Sequence, residues 1–149
     1  MPTRQPLLER LLRPHYVRAG DFLDRWYEEL PWRKRVPLGI RGEQIAARYL
    51  RRCGYLILSR NYRAAHAEID LIAADHGTLA FVEVKARIGV RFGAPAEAVD
   101  ERKQDRIRRA ANVYVTRRRR IKDVPVRFDI VAIVGIGRNR RLQLMKGAF

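Results

Sequence analysis

Apolar positions in residues 39–149 recur with two periods, about 3.6 residues and two residues, and the change between them predicts helices and strands. Helical spacing covers Arg41 to Cys53, where Gly54 is a natural stop, and returns from Arg102 to Arg119. The strand-like segments are 55–62, 67–74, 79–86, 126–134 and a short one near 142–145. The predicted order is α-β-β-β-α-β-β, which favours an α/β domain with a mixed central sheet flanked by helices.

The second and third strands form a predicted β-hairpin with charged residues on one face. If His76-Gly77 forms its two-residue turn, Asp70 lies directly across from Glu83, and Lys85 shares their face. Opposed side chains in a hairpin have Cβ atoms about 4.5–5.5 Å apart, and like charges at that distance destabilise the sheet. Two carboxylates on a core-side face therefore predict a cation between them.

The chemistry of the predicted cation follows from its ligands. Asp70 and Glu83 offer acidic oxygens, which suit Mg²⁺ or Mn²⁺, hard ions that keep several waters. Such an ion polarises a phosphodiester oxygen and neutralises charge on the leaving oxygen, while Lys85 orients the attacking water or stabilises the transition state. The alternative is an exposed hairpin in which Glu68 and Lys85 form a surface ion pair. Hydrophobic runs on both strands, with Asp70 in register, favour the metal site.

Two polar residues lie on the apolar faces of the predicted helices. Glu43 follows the line of Ala46 and Leu50, and Gln104 begins the line of Ile107 and Ala111. Because polar groups near a buried face need partners, a shared polar site with Asp70 and Glu83 would satisfy both. Glu43 could instead interact with the positive end of its own helix, and Gln104 could be a surface residue on a frayed first turn.

Composition indicates a polyanionic partner. The chain has 149 residues, enough for one domain, and a formal net charge of +16 that arises mainly from arginine. Arginine's planar fork matches phosphate geometry, although a GC-rich genome would also raise the arginine content. Residues 101–122 carry ten basic and two acidic side chains, so their net charge of +8 is half of the total.

The second helix and the arginine run after it are the predicted DNA-binding surface. Phosphate contacts position a substrate without selecting its sequence, so DNA binding is expected to be sequence-independent. A solvated basic face followed by a disordered loop is the alternative. The predicted phosphate-contacting residues are Arg102, Lys103, Arg106, Arg109, Arg117, Arg118, Arg119 and Arg120.

Residues 1–38 differ in composition and are predicted to be a partly ordered N-terminal extension that precedes the domain at 39–149. Asp21 could cap a short helix through Leu30, and aromatic residues there could dock on the domain. No apolar run reaches the ~18 residues of a membrane-spanning helix, and no signal pattern is present, so a cytoplasmic protein is expected. The single cysteine, Cys53, excludes an internal disulfide framework.

Several motifs occur in an order that resembles a known family: GEQIAARYL, GYLILSRNYR, EIDLIAADHGTLAFVEVKAR, RKQDRIRRAA and VRFDIVAI. They resemble the YraN-type family of uncharacterised bacterial proteins over roughly residues 41–149. That family is similar to the PD-(D/E)XK nuclease superfamily and to archaeal Holliday-junction resolvases. The resemblance implies a restriction-endonuclease-like core. Where the family has glycines before Glu-Ile-Asp, this chain has His66-Ala67.

The resemblance also implies roles for individual residues. Asp70 corresponds to the motif's aspartate, while Glu83 and Lys85 correspond to its Glu-x-Lys. Glu43 resembles the acidic residue of the first core helix, and Gln104 resembles a glutamine that follows the core in some members.

The leading hypothesis is a Mg²⁺-dependent DNA endonuclease that acts on branched or repair intermediates. A homodimer would fit a branched substrate with two symmetric strands. One alternative is a non-catalytic nucleic-acid-binding protein with the nuclease fold. Another is a small interaction protein whose arginines bind an acidic protein partner.

Overall fold

A computed structural model describes residues 38–87, 99–135 and 140–149. The predicted element order is confirmed, with one additional short 3₁₀ helix in these ranges. The elements are α1 (Leu38–Arg52), β1 (Leu56–Ala64), β2 (Ala67–Asp75), β3 (Thr78–Arg87), α2 (Glu101–Thr116), the 3₁₀ helix (Arg119–Ile121), β4 (Val126–Val134) and β5 (Arg141–Met145). The N-terminal extension, with its predicted helix from Asp21 to Leu30, lies outside the described residues, apart from Leu38.

The strands β1 to β5 form one mixed sheet in the order β1-β2-β3-β4-β5. Of its neighbouring pairs, β3 and β4 are parallel, and the other three pairs are antiparallel. A parallel pair requires a crossover connection, and the segment from β3 to β4 contains α2. No helix in the described part of the chain is long and apolar enough to cross a membrane.

Helix α1 covers one face of the sheet and ends as its sequence predicts. Its small residues Ala46 and Ala47 are fully buried in a cluster with the strand residues Leu71 and Val82. At its C-terminus Gly54 has φ +90 and donates to the Arg51 carbonyl at 3.0 Å, and the next residue's N–H donates to the Leu50 carbonyl at 3.0 Å. These paired bonds form a Schellman motif, which turns the chain directly into β1.

Helix α2 covers the other face. Asp100 caps its first turn by accepting a hydrogen bond from the Lys103 N–H at 2.8 Å. Further along, Tyr114 is buried and makes edge-to-face contacts with Tyr62 and Phe81, at centroid distances of 5.0 and 5.8 Å. The cap and this aromatic packing fix where α2 begins above the sheet. The helix ends at Thr116, so the prediction that it reaches Arg119 is wrong.

The early end of α2 has a local cause. The N–H of Arg118 donates to the Val115 carbonyl at 2.9 Å, which is the tighter hydrogen bonding common in a last helical turn. The Arg118 guanidinium also donates to the Tyr114 carbonyl at 3.1 Å and lies 3.7 Å from the centre of the Tyr114 ring. These contacts satisfy groups at the helix C-terminus and turn the arginine run into the 3₁₀ helix.

A buried polar cluster, absent from the sequence predictions, lies near the start of β3 and β4. Arg127 pairs with Ala80 across the parallel ladder, and its guanidinium contacts Asp129 at 2.7 Å and Asp75 at 2.6 Å. Lys146 contacts the same Asp75 carboxylate at 2.8 Å. Burial alone would raise the pKa of Asp75, but the hydrogen bonds from Lys146 and Arg127 hold it well below its usual range. These carboxylates are therefore fully compensated by cations.

Tight turns fix the register of both hairpins. His76 and Gly77 have φ +46 and +89, and Asp75 pairs with Thr78, as the sequence predicts. In the first hairpin Ala65 and His66 take φ +48 and +56. Residues other than glycine rarely adopt this left-handed backbone conformation, because the Cβ crowds the backbone. The β1–β2 turn therefore stores strain next to His66.

Replacing Ala65 by glycine should stabilise the protein by about 0.5 kcal/mol, because relief of the left-handed strain exceeds the entropy that glycine adds to the unfolded chain. Urea unfolding measures the change. The matched control is Ala64→Gly, one residue earlier within β1, which should destabilise the protein by roughly 0.5–1 kcal/mol. Equal destabilisation by both substitutions would contradict the strain at Ala65.

Candidate functional site

The site begins where β2 leaves β3. Their register runs from Asp75 opposite Thr78 to Leu71 opposite Val82. One residue further, the Oδ2 atom of Asp70 accepts a hydrogen bond from the Val84 N–H at 2.7 Å. An aspartate side chain thus takes the place of a backbone carbonyl in the ladder. As a result its carboxylate is held against the middle of β3.

A twist in β2 accompanies this exchange. Leu71 packs under α1, and strict alternation would place Ile69 on the same face. Ile69 instead belongs to the cluster under α2, together with Ile72. The strand therefore rotates around Asp70, which brings its carboxylate to the boundary between the two faces.

Glu83 is the second acidic residue and is only 4% exposed. It follows Phe81 by two residues on β3 and so shares the face covered by α2. The Nζ atom of Lys85 lies 3.1 Å from Glu83 Oε1, as the strand alternation predicts. A second ammonium group, from Lys103, contacts the same oxygen. One buried carboxylate oxygen therefore faces two lysines.

The two carboxylates interact electrostatically. Burial raises the pKa of Asp70 to about 7, and the negative charge of Glu83 contributes to this rise. The Val84 hydrogen bond and the Lys103 charge oppose the rise, and Glu43 adds a small contribution in the same direction as Glu83. The predicted interaction of the two like charges is thus present, but the paired register ends at Leu71 and Val82, so the prediction that Asp70 lies directly across from Glu83 in the ladder is not met. Ionised Asp70 costs folding free energy.

Lys103 was predicted to contact phosphate on the outer surface, but its ammonium group reaches inward to Glu83. Burial alone would lower its pKa, yet the hydrogen bond and charge of Glu83 raise it. The sequence did contain a signal. Lys103 lies four residues before the buried Ile107, so it occupies the same helical stripe. In the first turn a side chain on that stripe extends beyond the helix end and reaches the sheet.

Gln104 does not join the acidic pair. Its Nε2 atom donates to the Val99 carbonyl at 3.0 Å, and its Oε1 atom accepts from Arg108 at 3.4 Å. The Asp100 cap sets the rotation of the first turn so that position 103, rather than 104, faces Glu83. Gln104 therefore holds the start of α2, and the prediction that it approaches the acidic pair is wrong.

Glu43 lies close enough to raise the pKa of Asp70, as predicted. Its Oε2 atom accepts a hydrogen bond from Asn61 at 2.7 Å, and Asn61 has φ +48 in β1. The neighbouring Gly42 explains the approach, because a Cβ at that position would lie 3.0 Å from the Cβ of Ala86. Because α1 begins at Leu38, Gly42 lies in its second turn, and the missing side chain lets that turn pack closely on β3.

A cleft of about 250 Å³ opens beside the acidic pair. Asp70 and Lys103 line it, together with Arg106 from the next turn of α2. His66 and Glu68 line it from the strained β1–β2 hairpin. Glu83 does not line the cleft, so of the acidic pair it is Asp70 that the cleft connects to the basic surface of α2.

The predicted DNA-contacting arginines divide into three groups. Arg102, Arg106 and Arg109 are exposed along α2, as their spacing predicts, and Arg117 and Arg120 are exposed after it. Arg118 instead packs on Tyr114 and is partly buried. The side chain of Arg119 lies outside what the structure describes.

The acidic pair offers few donor groups for a metal ion. Within residues 38–87, 99–135 and 140–149, no group of three or more His, Cys, Asp or Glu side chains could hold a metal ion. A cation here would rely on Asp70 and Glu83, with water and backbone oxygens completing its coordination. This donor set fits Mg²⁺, which keeps several waters and is commonly bound through one or two carboxylates.

Comparison with known proteins identifies relatives. The family model described as "Uncharacterised protein family UPF0102" matches residues 42–133, a range that includes every residue of the acidic site. A UPF0102 protein of Clostridium botulinum strain 657 is 39% identical over 114 residues, covering 75% of this chain and 93% of the relative. A UPF0102 protein of Solibacter usitatus strain Ellin6076 is 47% identical over 110 residues, covering 72% of this chain and 82% of the relative.

Replacing Asp70 by asparagine should stabilise the metal-free protein at pH 8 by roughly 1–3 kcal/mol, with a smaller gain at pH 5. The pKa of Asp70 is about 7 in the folded protein and near 3.8 when unfolded. Between these values the folded state binds the extra proton, so stability falls as pH rises, and the full cost is present above pH 7. Urea unfolding in EDTA at both pH values measures the effect.

The matched control is Asp75→Asn, which removes a carboxylate whose pKa is lowered by Lys146 and Arg127. This variant should lose stability at pH 8, because it removes the buried carboxylate to which Arg127 and Lys146 are bonded. If both substitutions destabilised the protein equally at pH 8, Asp70 would not be under electrostatic strain.

Proposed function

This chain belongs to the uncharacterised protein family UPF0102, and we propose that it is a metal-dependent DNA endonuclease of the PD-(D/E)XK type. The observation that carries the proposal is the Asp70/Glu83 pair. Glu83 contacts Lys85 of β3 and Lys103, which lies in the first turn of the basic helix α2. The largely buried Asp70 carboxylate, whose pKa is raised by burial and by the charge of Glu83, reduces folding stability when it is ionised. Such a perturbed group beside a cleft is typical of functional sites.

Asp70 and Glu83 would hold Mg²⁺ or Mn²⁺. When bound, such an ion would act as a Lewis acid, polarising a phosphate oxygen and lowering the pKa of a bound water molecule. The protein's part is to hold the two carboxylates in fixed positions. The Val84 N–H orients the Asp70 carboxylate, and burial under α2 limits the movement of Glu83.

Lys85 is the residue best suited to stabilise the transition state. Its ammonium group lies between the buried Glu83 carboxylate and solvent, since its side chain is 27% exposed. A lysine there can donate to the attacking water or to a non-bridging phosphate oxygen as negative charge develops. Its place on β3, two residues after Glu83, fixes the distance between ligand and lysine.

The exposed arginines of α2 would bring DNA to this site. Residues 101–122 carry a net charge of +8, and Arg106 both lies on the helix and lines the cleft. Arginine contacts to phosphate do not depend on base identity, so binding would be sequence-independent. A substrate strand that follows Arg102, Arg106 and Arg109 would pass the acidic pair. Branched DNA or repair intermediates are the proposed substrates.

A second candidate is a non-catalytic DNA-binding protein with the same fold. It is favoured by the contacts of Glu83, because Lys85 and Lys103 already neutralise that carboxylate without a metal. In that case the charged groups of Asp70, Glu83, Lys85 and Lys103 form a structural ion cluster. The two candidates predict the same DNA binding and differ in metal binding and cleavage.

The nuclease assignment predicts Mn²⁺-dependent cleavage on at least one of linear duplex, single-stranded and four-way-junction DNA. Asp70→Asn and Glu83→Gln should abolish cleavage, and Lys85→Met should slow it about 10²-fold or more while DNA binding persists. The control is Asp105→Asn, which removes an exposed α2 carboxylate that pairs with Arg108. Full cleavage by Asp70→Asn would refute the assignment. DNA binding with neither cleavage nor Mn²⁺ binding would favour the second candidate.

The proposed DNA path predicts the salt dependence of binding. Neutralising Arg106 and Arg109 together as Arg106→Gln and Arg109→Gln should weaken duplex binding and reduce the log–log salt slope by about 0.9 for each phosphate that is no longer neutralised. Fluorescence anisotropy across a salt series measures both. The control, Arg52→Gln with Arg141→Gln, removes the same charge from exposed positions on α1 and β5. Equal effects of the two pairs would mean that net charge, and not this path, governs binding.

A further inference from the structure

Lys103 is bound to Glu83 through a contact that the proposed chemistry does not require. Lys85 already neutralises the Glu83 Oε1 atom at 3.1 Å, and Lys103 contacts the same atom from α2. The Lys103 charge also acts on Asp70, whose pKa it lowers against the larger effects of burial and Glu83. Lys103 therefore interacts with both of the proposed metal ligands.

The formal charges of the site indicate what a divalent cation would do to Lys103. With Asp70 and Glu83 ionised, two carboxylates and two ammonium groups sum to zero. Adding a divalent cation leaves a surplus of +2 in a largely buried place, where like charges repel strongly. Release of one lysine reduces the surplus to +1, and a DNA phosphate then brings it to zero.

Of the two lysines that contact Glu83, Lys103 is the one whose ammonium group is able to move away. Its backbone is held by the Asp100 cap, but its ammonium group is carried by a flexible four-carbon stem. It also lines the 250 Å³ cleft, where Arg106 is its neighbour one turn along α2. Lys85 does not line this cleft; it lies on β3, paired with Ala132 of β4.

We propose that Lys103 is an internal counter-cation that competes with the divalent metal for the Asp70/Glu83 pair, and that on metal binding it moves into the cleft to contact a DNA phosphate. This inference rests on the proposed function. It makes Lys103 a positioning residue that couples metal binding to DNA binding. It also gives the lysine a different partner in each state: Glu83 without metal, and phosphate with metal.

The first test measures Mn²⁺ affinity by titration calorimetry on the full chain without DNA. Lys103→Met and Lys103→Gln remove the competing charge, so both should bind Mn²⁺ about threefold to tenfold more tightly than the unsubstituted protein. Lys103→Arg keeps the charge and should bind with nearly the original affinity. The control is Lys122→Met, which removes an exposed lysine at the end of the 3₁₀ helix and should change nothing.

The second test measures DNA affinity by stopped-flow anisotropy, in the first seconds after mixing and before cleavage accumulates. In EDTA, Lys103→Met should bind duplex DNA within about twofold of the unsubstituted protein, because Lys103 is then held by Glu83. In Mn²⁺ the variant should bind more weakly, with a salt slope lower by about 0.9. A lysine that only stabilises the fold would give no such dependence on the metal.

Two results would overturn the inference: unchanged Mn²⁺ affinity in both Lys103→Met and Lys103→Gln, or an equal loss of DNA affinity in EDTA and in Mn²⁺. The proposed function can fail separately. If the unsubstituted protein binds Mn²⁺ and Asp70→Asn abolishes that binding, the metal site stands whatever Lys103 does. If the unsubstituted protein binds no Mn²⁺, both proposals fail.

Discussion

Where β2 leaves β3, the Val84 N–H would lose its partner in the ladder, and the Asp70 carboxylate accepts it instead at 2.7 Å. A buried N–H without an acceptor costs roughly 1–3 kcal/mol, so this bond both completes the sheet and orients the carboxylate. The rest of the site depends on it. Asp70 is held near Glu83 although their charges repel, and β2 is free to twist toward the hairpin that lines the cleft.

Buried carboxylates have different electrostatic environments at the two ends of the central strands. Near the start of β3 and β4, Asp75 and Asp129 share Arg127, and Lys146 adds a second cation to Asp75. The pKa of Asp75 is lowered there, which favours the folded state near neutral pH. At Asp70 the pKa is raised to about 7, so the same residue type opposes folding. One sheet therefore supports a stabilising charge cluster at one end and an electrostatically strained pair at the other.

The strained pair has a physical explanation in the proposed function. A cation-binding site must keep its carboxylates together when the cation is absent, and that requires neutralising charge from elsewhere. Lys85 comes from the same strand as Glu83, while Lys103 comes from the first turn of α2. The Asp100 cap and the packing of Tyr114 on Phe81 fix where that turn lies. The aromatic core beneath α2 thus determines which charges meet at the site.

Local rules were sufficient to predict the order of the elements, the hairpin register from its turn to Leu71 and Val82, and the shared face of Glu83 and Lys85. Strand alternation and a two-residue turn act within about twenty residues. Sequence alone did not determine which first-turn residue of α2 faces the sheet. Gln104 and Lys103 are adjacent, and the rotation set by the Asp100 cap and the helix packing decided between them. The Asp75 cluster was also missed, since Arg127 is 52 positions away along the chain. Contacts of that kind depend on which strands become neighbours, and only the tertiary structure decides this.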